Sequence, residues 1–359
     1  MLVLYGIGMV MKEGDIYLLR DRDLRVNPPV QSNYLKIGIA EDTPKRVKQH
    51  QTGNPRKIET TYRQLVPGKT ELETFLHHYF STDRTRGEWF WIDDAREASD
   101  VMPVLTGHHT EQIAHQANLV VIDTLKTTPD NGTVRPPTPA EQTLSDELKT
   151  AEESRALAKA QHDIHDYNLR AMLSSGNGID GVITLTQKAS PPKFEKAAFI
   201  SSLTPAEFAL CHSSGTEFKS DAKFLHQKRT LPTIDPTLNT VKTAAKALAP
   251  TNIPLSDLAN TVVPRTGSIE SEHHEWLSTR RDIAIHKWTV EQKKAELKAS
   301  IGSDQEITGV LRWTRGNLPF TDKWSLTDAK KNLETKYQAH CTARPDIVEV
   351  KIHKGKPYP

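Results

Sequence analysis

The sequence predicts an α/β (α+β) chain: a small antiparallel sheet flanked by helices, followed by a duplicated α+β accessory region. Three observations predict it. Near the N-terminus, β-type and helical runs follow one another as strand, strand, helix, strand, helix. Two Pro- and Thr-rich stretches then divide the chain. Beyond the first of them, two segments repeat each other at a nearly constant offset, the mark of a repeated unit.

Taken in order, Met1–Met11 is apolar but lacks a basic leader and a small-residue cleavage site. It reads as a strand or packed arm rather than a signal peptide. Ile16–Leu19 and Tyr34–Ile39 are rich in branched and aromatic residues and read as strands. Thr43–Gln51 reads as a helix capped by Asp42 or Thr43, with Pro44 in the first turn, where its missing N–H costs nothing. A strand at Ile58–Leu65 and a helix at Thr70–Tyr79 complete the unit.

The run TTPDNGTVRPPTP reads as a linker. The expected divisions are therefore a first domain at 1–126, a linker at 127–142, accessory repeats at 143–230 and 268–359, and a second linker at 231–267. A long charged helix, Ala140–Leu173, opens the first repeat, and another opens the second. In the repeats Leu169 matches Leu297, Leu173 Ile301, Ile179 Ile307, Gly181 Gly309 and Val182 Val310, each 128 residues apart; Cys211 and Cys341 match 130 apart.

Composition sets limits. A chain of 359 residues has room for two or three domains. A formal charge of +2 means that nucleic-acid binding must come from local patches. Two cysteines make neither a disulfide framework nor a zinc cluster and suit a reducing compartment, read as the cytoplasm of a bacterial host or phage-infected cell. No apolar run reaches membrane-spanning length, so no membrane partner is expected.

Chemistry concentrates in five ordered motifs: GDIYLLR with Tyr17, YLKIGIA with Lys36 and Gly38, DTPKRVKQHQTGNP with Arg46, ELETFLHHYF with Glu73 and His77, and RGEWFWI with Glu88. As an ordered set they resemble the GIY-YIG nuclease superfamily, most closely a phage-type branch whose second motif reads KIG and whose domain ends in GEWF. The resemblance spans Gly14–Ile92, about a quarter of the chain. It implies a small antiparallel sheet with helices, a Mg²⁺- (or Mn²⁺-) dependent endonuclease and DNA as partner. By matching position, Tyr17 would activate the attacking water, Lys36 would stand for the second-motif tyrosine, Arg46 would contact the scissile phosphate and Glu73 would bind the metal. Two departures stand: the first motif reads Asp-Ile-Tyr, with its glycine one place early at Gly14, and the gap to the second motif is long.

Elementary chemistry agrees. Phosphodiester hydrolysis needs a nucleophile and relief of charge on the pentavalent phosphate. A nearby ammonium such as Lys36, paired with Tyr17 across adjacent strands, would favour the phenolate. Arg46 offers a planar fork to phosphate oxygens, and Glu73 is a hard oxygen ligand for Mg²⁺. His77, on the helical face of Glu73, is expected to touch the metal, its water or the leaving group. Taken singly, each has a plainer reading: a packed strand aromatic, a solvated lysine, a wet helix face, a helix-surface pair. Glu88 reads as structural, in a closing strand.

The stretch Lys45–Lys69 is basic against one acid, Glu59. Lys45, Lys48, His50, Asn54, Arg56 and Lys57 are the expected DNA contacts. An earlier Gly6–Gly8 run with Tyr5 is set aside, because Tyr17 has the better strand pattern. The repeats hold no catalytic set; they loosely resemble accessory regions of phage recombination exonucleases, which implies DNA targeting or assembly, homo-oligomer formation included. Cys211 and Cys341 read as small buried residues, His273 and His274 as surface residues. The competing functions are a DNA-binding protein that keeps the fold without cleaving, and an assembly scaffold.

Overall fold

The computed structural model describes residues 11–173, 178–249 and 262–356, and the side chains of all of these but 321 and 322. The reading of Met1–Met11 as an arm, and of Gly6–Gly8 as a rejected motif, therefore lies outside the described residues, apart from Met11. The chain is a mixed α+β protein built on small antiparallel sheets flanked by helices.

Strands β1 (Gly14–Asp23), β2 (Val30–Ala40), β3 (Lys57–Val66), β4 (Arg84–Arg86) and β5 (Trp89–Trp91) form a sheet in the order β3-β1-β2-β5-β4, antiparallel throughout. Alternation along each strand makes one face apolar. Ile16, Leu18, Leu35, Ile37 and Phe90 lie on that face and pack against Leu72 and Leu76 of α2 (Lys69–Tyr79). On the other face α1 (Thr43–Gln51) lies over Tyr17, Leu19 and Ile58. Asp42 caps α1 by accepting the Lys45 amide, and Pro44 sits in its first turn.

Helix α3 (Asp94–Arg96) runs through a π-turn at Glu97–Val101 into α4 (Met102–Lys126), which no sequence signal had marked as one long helix. Its buried side is unusually polar, with His108, Gln112 and His115 among its buried residues. His108 and His115 meet the Trp288 ring, whose Nε1 donates to Glu111. An apolar-period reading passes over such a face.

The segment read as the first linker carries β6 (Val134–Arg135), paired parallel with β11 (Glu306–Ile307). Arg135 there grips Glu141 through two bonds of 2.7 Å. The second stretch read as a linker holds α8 (Leu231–Ile234) and α9 (Pro236–Leu248), which packs on α5 (Pro139–Ala171).

Helices α5 and α10 (Gly267–Ser300) run antiparallel. Each leads through a turn into a hairpin: β7 (Gly178–Ile179) with β8 (Ile183–Lys188), and β11 with β12 (Leu311–Trp324). The matched glycines Gly181 and Gly309 have φ of +66° and +76°, a left-handed conformation that costs glycine little. Leu169, Leu173, Ile179 and Val182 occupy one core, and their counterparts Leu297, Ile301, Ile307 and Val310 occupy another.

The hairpins are completed crosswise. β10 (His212–Phe224), from the first segment, joins β12; β14 (Ile347–Ile352), from the second, joins β8. Between the two lie β9 (Lys193–Phe194) paired with β13 (Cys341–Thr342), and four short helices, α6 (Lys196–Ser201), α7 (Pro205–Ala209), α11 (Leu326–Asn332) and α12 (Glu334–Ala339). They share a core of Phe199, Cys211, Ala329 and Trp324. Both cysteines are free; Cys211 is buried and Cys341 half-buried. His273, read as a surface residue, is fully buried, with Nε2 against the His353 carbonyl at 2.8 Å, because β14 closes over the start of α10. His274 is exposed and meets Lys356.

Candidate active site

Alternation along β1 sends Tyr17 to the face opposite the apolar core. Directly across from it on β2 is Gly38. A Cβ at Gly38 would stand 2.6 Å from the Tyr17 hydroxyl oxygen, so only glycine leaves room for the phenol. Lys36 faces Leu19, two residues along, and is therefore a diagonal rather than a direct neighbour of Tyr17. Its ammonium is taken by the Glu88 carboxylate. The expectation that Lys36 is the cation serving Tyr17 is corrected accordingly: register put it one step off, and Glu88 captured it.

Arg46 fills that place. From α1 it lies close enough to act on the Tyr17 hydroxyl, while its Nη1 donates to Gln49 Oε1 at 3.2 Å. Burial raises the Tyr17 pKa, and Arg46 opposes the shift. His50 lies one turn beyond Arg46, and i, i+4 residues share a helical face. Its Nε2 is buried and, among the described residues, has no hydrogen-bond partner. Burial, with Lys36 and Arg46 nearby, lowers its pKa, so the ring is neutral at neutral pH.

Glu73 arrives from α2, half-buried, near the Ile39 backbone at the end of β2. Burial, then the charge of Glu88, pushes its pKa up to about 7, against the pull of Lys36 and Arg84. His77, one turn on, is buried beside Phe90, with ring centroids 5.3 Å apart. Its Nε2 lies 3.0 Å from the Ile37 carbonyl, which can only accept, so that nitrogen carries the proton. Burial lowers its pKa to about 4. His78 points elsewhere, and burial with Arg280 and Lys354 takes it to about 3.

Tyr17, Lys36, Arg46, His50, Glu73 and His77 thus converge around one end of the sheet. Sequence reasoning missed three members. Glu88, read as structural, sits between Lys36 and Glu73. Arg84 acts on Glu73, His77 and His78. Gly38 makes the space. Only the glycine of KIG had a local signal.

The basic strip is thinner than its sequence. Arg56 lies 3.7 Å from Asp21, Lys57 pairs with Glu59, Arg63 with Asp15 and Lys69 with Glu41. Most of those acids sit on or beside strands brought alongside by the fold, and a local count of charge overlooks them. Among the described residues Lys45 and Lys48 keep free ammonium groups on the exposed side of α1. Asn54 caps the Arg56 amide at 3.0 Å and lines a cleft beside the site.

Among the described residues no group of three or more His, Cys, Asp and Glu could hold a metal ion. The donor set is one carboxylate, Glu73. It fits a hard cation that keeps most of its waters: a half-buried carboxylate next to a second carboxylate is relieved by a proton or by a cation.

Residues 14–105 match the T5orf172 domain, a phage-associated domain of nuclease type. No curated protein and no solved structure matches the chain. No helix among the described residues is long and apolar enough to cross a membrane.

Proposed function

We propose that this chain is a divalent-metal-dependent DNA endonuclease of the GIY-YIG type, with Mg²⁺ or Mn²⁺ held by Glu73. The convergence of Tyr17, Arg46 and Glu73 around one end of the sheet, within the segment that matches a nuclease-type domain, carries the reading. When bound, the cation supplies neutralisation of charge on the phosphate and leaving oxygen.

The chain's own groups do the rest. Arg46 presents a guanidinium to the scissile phosphate beside the Tyr17 oxygen, so the phosphate and the residue that orients the water share one neighbour. Tyr17 orients the attacking water. Its raised pKa makes it a reluctant base, whereas His50 is neutral and has a buried, uncommitted Nε2 on the same side. His50 takes the water's proton, directly or through Tyr17. Lys36 and Glu88 form a charge pair that tunes Glu73, and His77 fixes the α2–β2 contact as a positioning residue.

Lys45, Lys48 and Asn54 extend the phosphate track. Arg56 and Lys57 join it only by leaving their carboxylates. The C-terminal pair is read as a duplicated unit that targets DNA; the matched turns and cores of its two halves support the duplication. The non-cleaving alternative is disfavoured because a binding module gains nothing from a carboxylate pushed to about 7 where phosphate must sit.

The test is plasmid cleavage by the full chain with Mg²⁺, Mn²⁺ or EDTA. Cleavage that needs the metal and is lost in Tyr17→Phe, His50→Ala and Glu73→Gln supports the reading. No cleavage across metals and DNA forms overturns it.

A further inference from the structure

The face that carries Tyr17 and Lys36 continues outward as bare aromatic surface. Tyr34 precedes Lys36 by two residues and faces Trp91; Trp89 faces Lys36. Tyr34 and Trp91 meet edge-on with centroids 4.9 Å apart, and they are 39% and 51% exposed. Leaving such rings partly in water forgoes hydrophobic stabilisation. The neighbour on the other face, Phe90, is fully buried, so the fold can hide a ring here and does not.

The far end of the chain builds a wall opposite these rings. The Lys356 amide donates to the Arg84 carbonyl at 2.6 Å, and a Cβ on Gly355 would lie 2.7 Å from the Thr85 carbonyl oxygen. The tail therefore lies flat against edge strand β4. Between wall and rings is an open cleft of about 1470 Å³. Arg84, Arg86, Lys351, Lys354 and Lys356 line it. Its two carboxylates, Asp21 and Asp83, lie against Arg56 and Arg96. Lys354 is surrounded by Arg280, Arg84 and Lys351, and burial with this crowding of like charge lowers its pKa. A cationic wall with its acids already engaged is complementary to a polyanion.

We propose that this cleft binds an unpaired DNA strand leaving the cut site, with phosphates on Arg86, Lys351 and Lys354 and bases stacked on Trp91 and Trp89. The proposal rests on the nuclease reading and names its substrate as branched or tailed DNA. Duplex DNA shows a protein its backbone and base edges; ring faces become available only when bases unstack. An exposed tryptophan, Trp91, with half-buried Trp89 beside it and lysines across the cleft, is a means of holding such a strand.

The test uses the full chain in EDTA, so that binding is read without cleavage. Fluorescence anisotropy compares a blunt duplex with the same duplex bearing a short oligothymidine tail. The tail should raise affinity about tenfold, as one stacked base suffices for that gain. Trp91→Ala should remove most of the gain and leave blunt-duplex affinity unchanged, while Trp91→Phe retains part of it. Trp91 is half exposed, so neither change threatens folding. The double change Arg86→Ala, Lys351→Ala should lower the salt slope for tailed DNA by about two. Equal wild-type affinity for both DNAs, or a tail advantage that survives Trp91→Ala, overturns the proposal. Cleavage with Mg²⁺ is measured in parallel. A tail preference without cleavage would overturn the nuclease reading and keep the cleft; cleavage without a tail preference would do the reverse.

Discussion

Glu73, in the N-terminal sheet domain, and Glu141, in the C-terminal pair, are both helix glutamates withdrawn from water, and their surroundings treat them in opposite ways. Glu141 caps α5, accepts the Thr138 amide and receives both arms of Arg135, which hold its carboxyl down at about 2. Glu73 has partial burial and a second carboxylate nearby, and its carboxyl is raised to about 7. A carboxylate that serves the fold is fully partnered. One left short of partners serves something that arrives later. The same division runs through the cations, since Arg135 is spent on structure while Lys45 and Lys48 have no ion-pair partner among the described residues.

The sharpest way to break this comparison is to neutralise each glutamate. Glu73→Gln should cut cleavage by a hundredfold or more, about the size of a lost transition-state charge contact, while thermal stability of the metal-free chain holds or rises. Glu141→Gln should leave cleavage at low temperature intact and cost about 2–3 kcal/mol, since it strands Arg135 beside a weaker partner. Plasmid cleavage and thermal melts of both variants decide it. A stability loss in Glu73→Gln as large as that in Glu141→Gln would erase the distinction.

pH sharpens it. Because the Glu73 pKa is raised, the folded chain holds a proton there that the unfolded chain has released, between about 4.5 and 7. Its contribution to metal-free stability is therefore lost as pH rises through that window, and a divalent cation should restore it. At limiting Mg²⁺, cleavage should climb about tenfold per pH unit below 7 and then level, as the metal competes with one proton. Glu141 has the opposite sign: its contribution is present above about 4.5 and disappears as pH falls toward 2. Pre-steady-state cleavage from pH 5 to 8 would show the rise; a flat profile would count against Glu73 as the metal ligand.

The smallest effect expected is at the free cations. Lys45→Ala and Lys48→Ala should each weaken duplex binding a few-fold at low salt and lower the salt slope by about one. Arg56→Ala should do less, because Asp21 already screens it. Salt titrations of the three variants order them.

The elements of the first domain were legible because they depend on local pattern. Branched residues at Ile16–Leu19 and Tyr34–Ile39, and the Asp42–Pro44 start of α1, point to their structures without help from distant residues. Gly181 and Gly309, matched in the sequence, both adopt a left-handed conformation in the hairpin turns, as a local pattern can indicate. Helix α4 was not legible, because between Leu105 and Ile122 its inward face carries histidine and glutamine that find their partners in α10 and around Gly68. The linkers misled because Pro and Thr mark helix starts and edge strands as readily as free chain.

By itself, the sequence determined which reactive groups exist and on which element each rides: Tyr17 on a strand, Arg46 and His50 a turn apart, Glu73 and His77 a turn apart. Only the tertiary structure decided which charge meets which. Register set Lys36 beside Leu19 and gave it to Glu88; neighbouring strands lent Asp21 and Asp15 to cations that looked free; the chain's far end laid Lys354 against Arg84. The physical reason is reach. Hydrogen bonds and ion pairs act over a few ångströms of space, and proximity along a chain predicts that distance only within a single helix or turn.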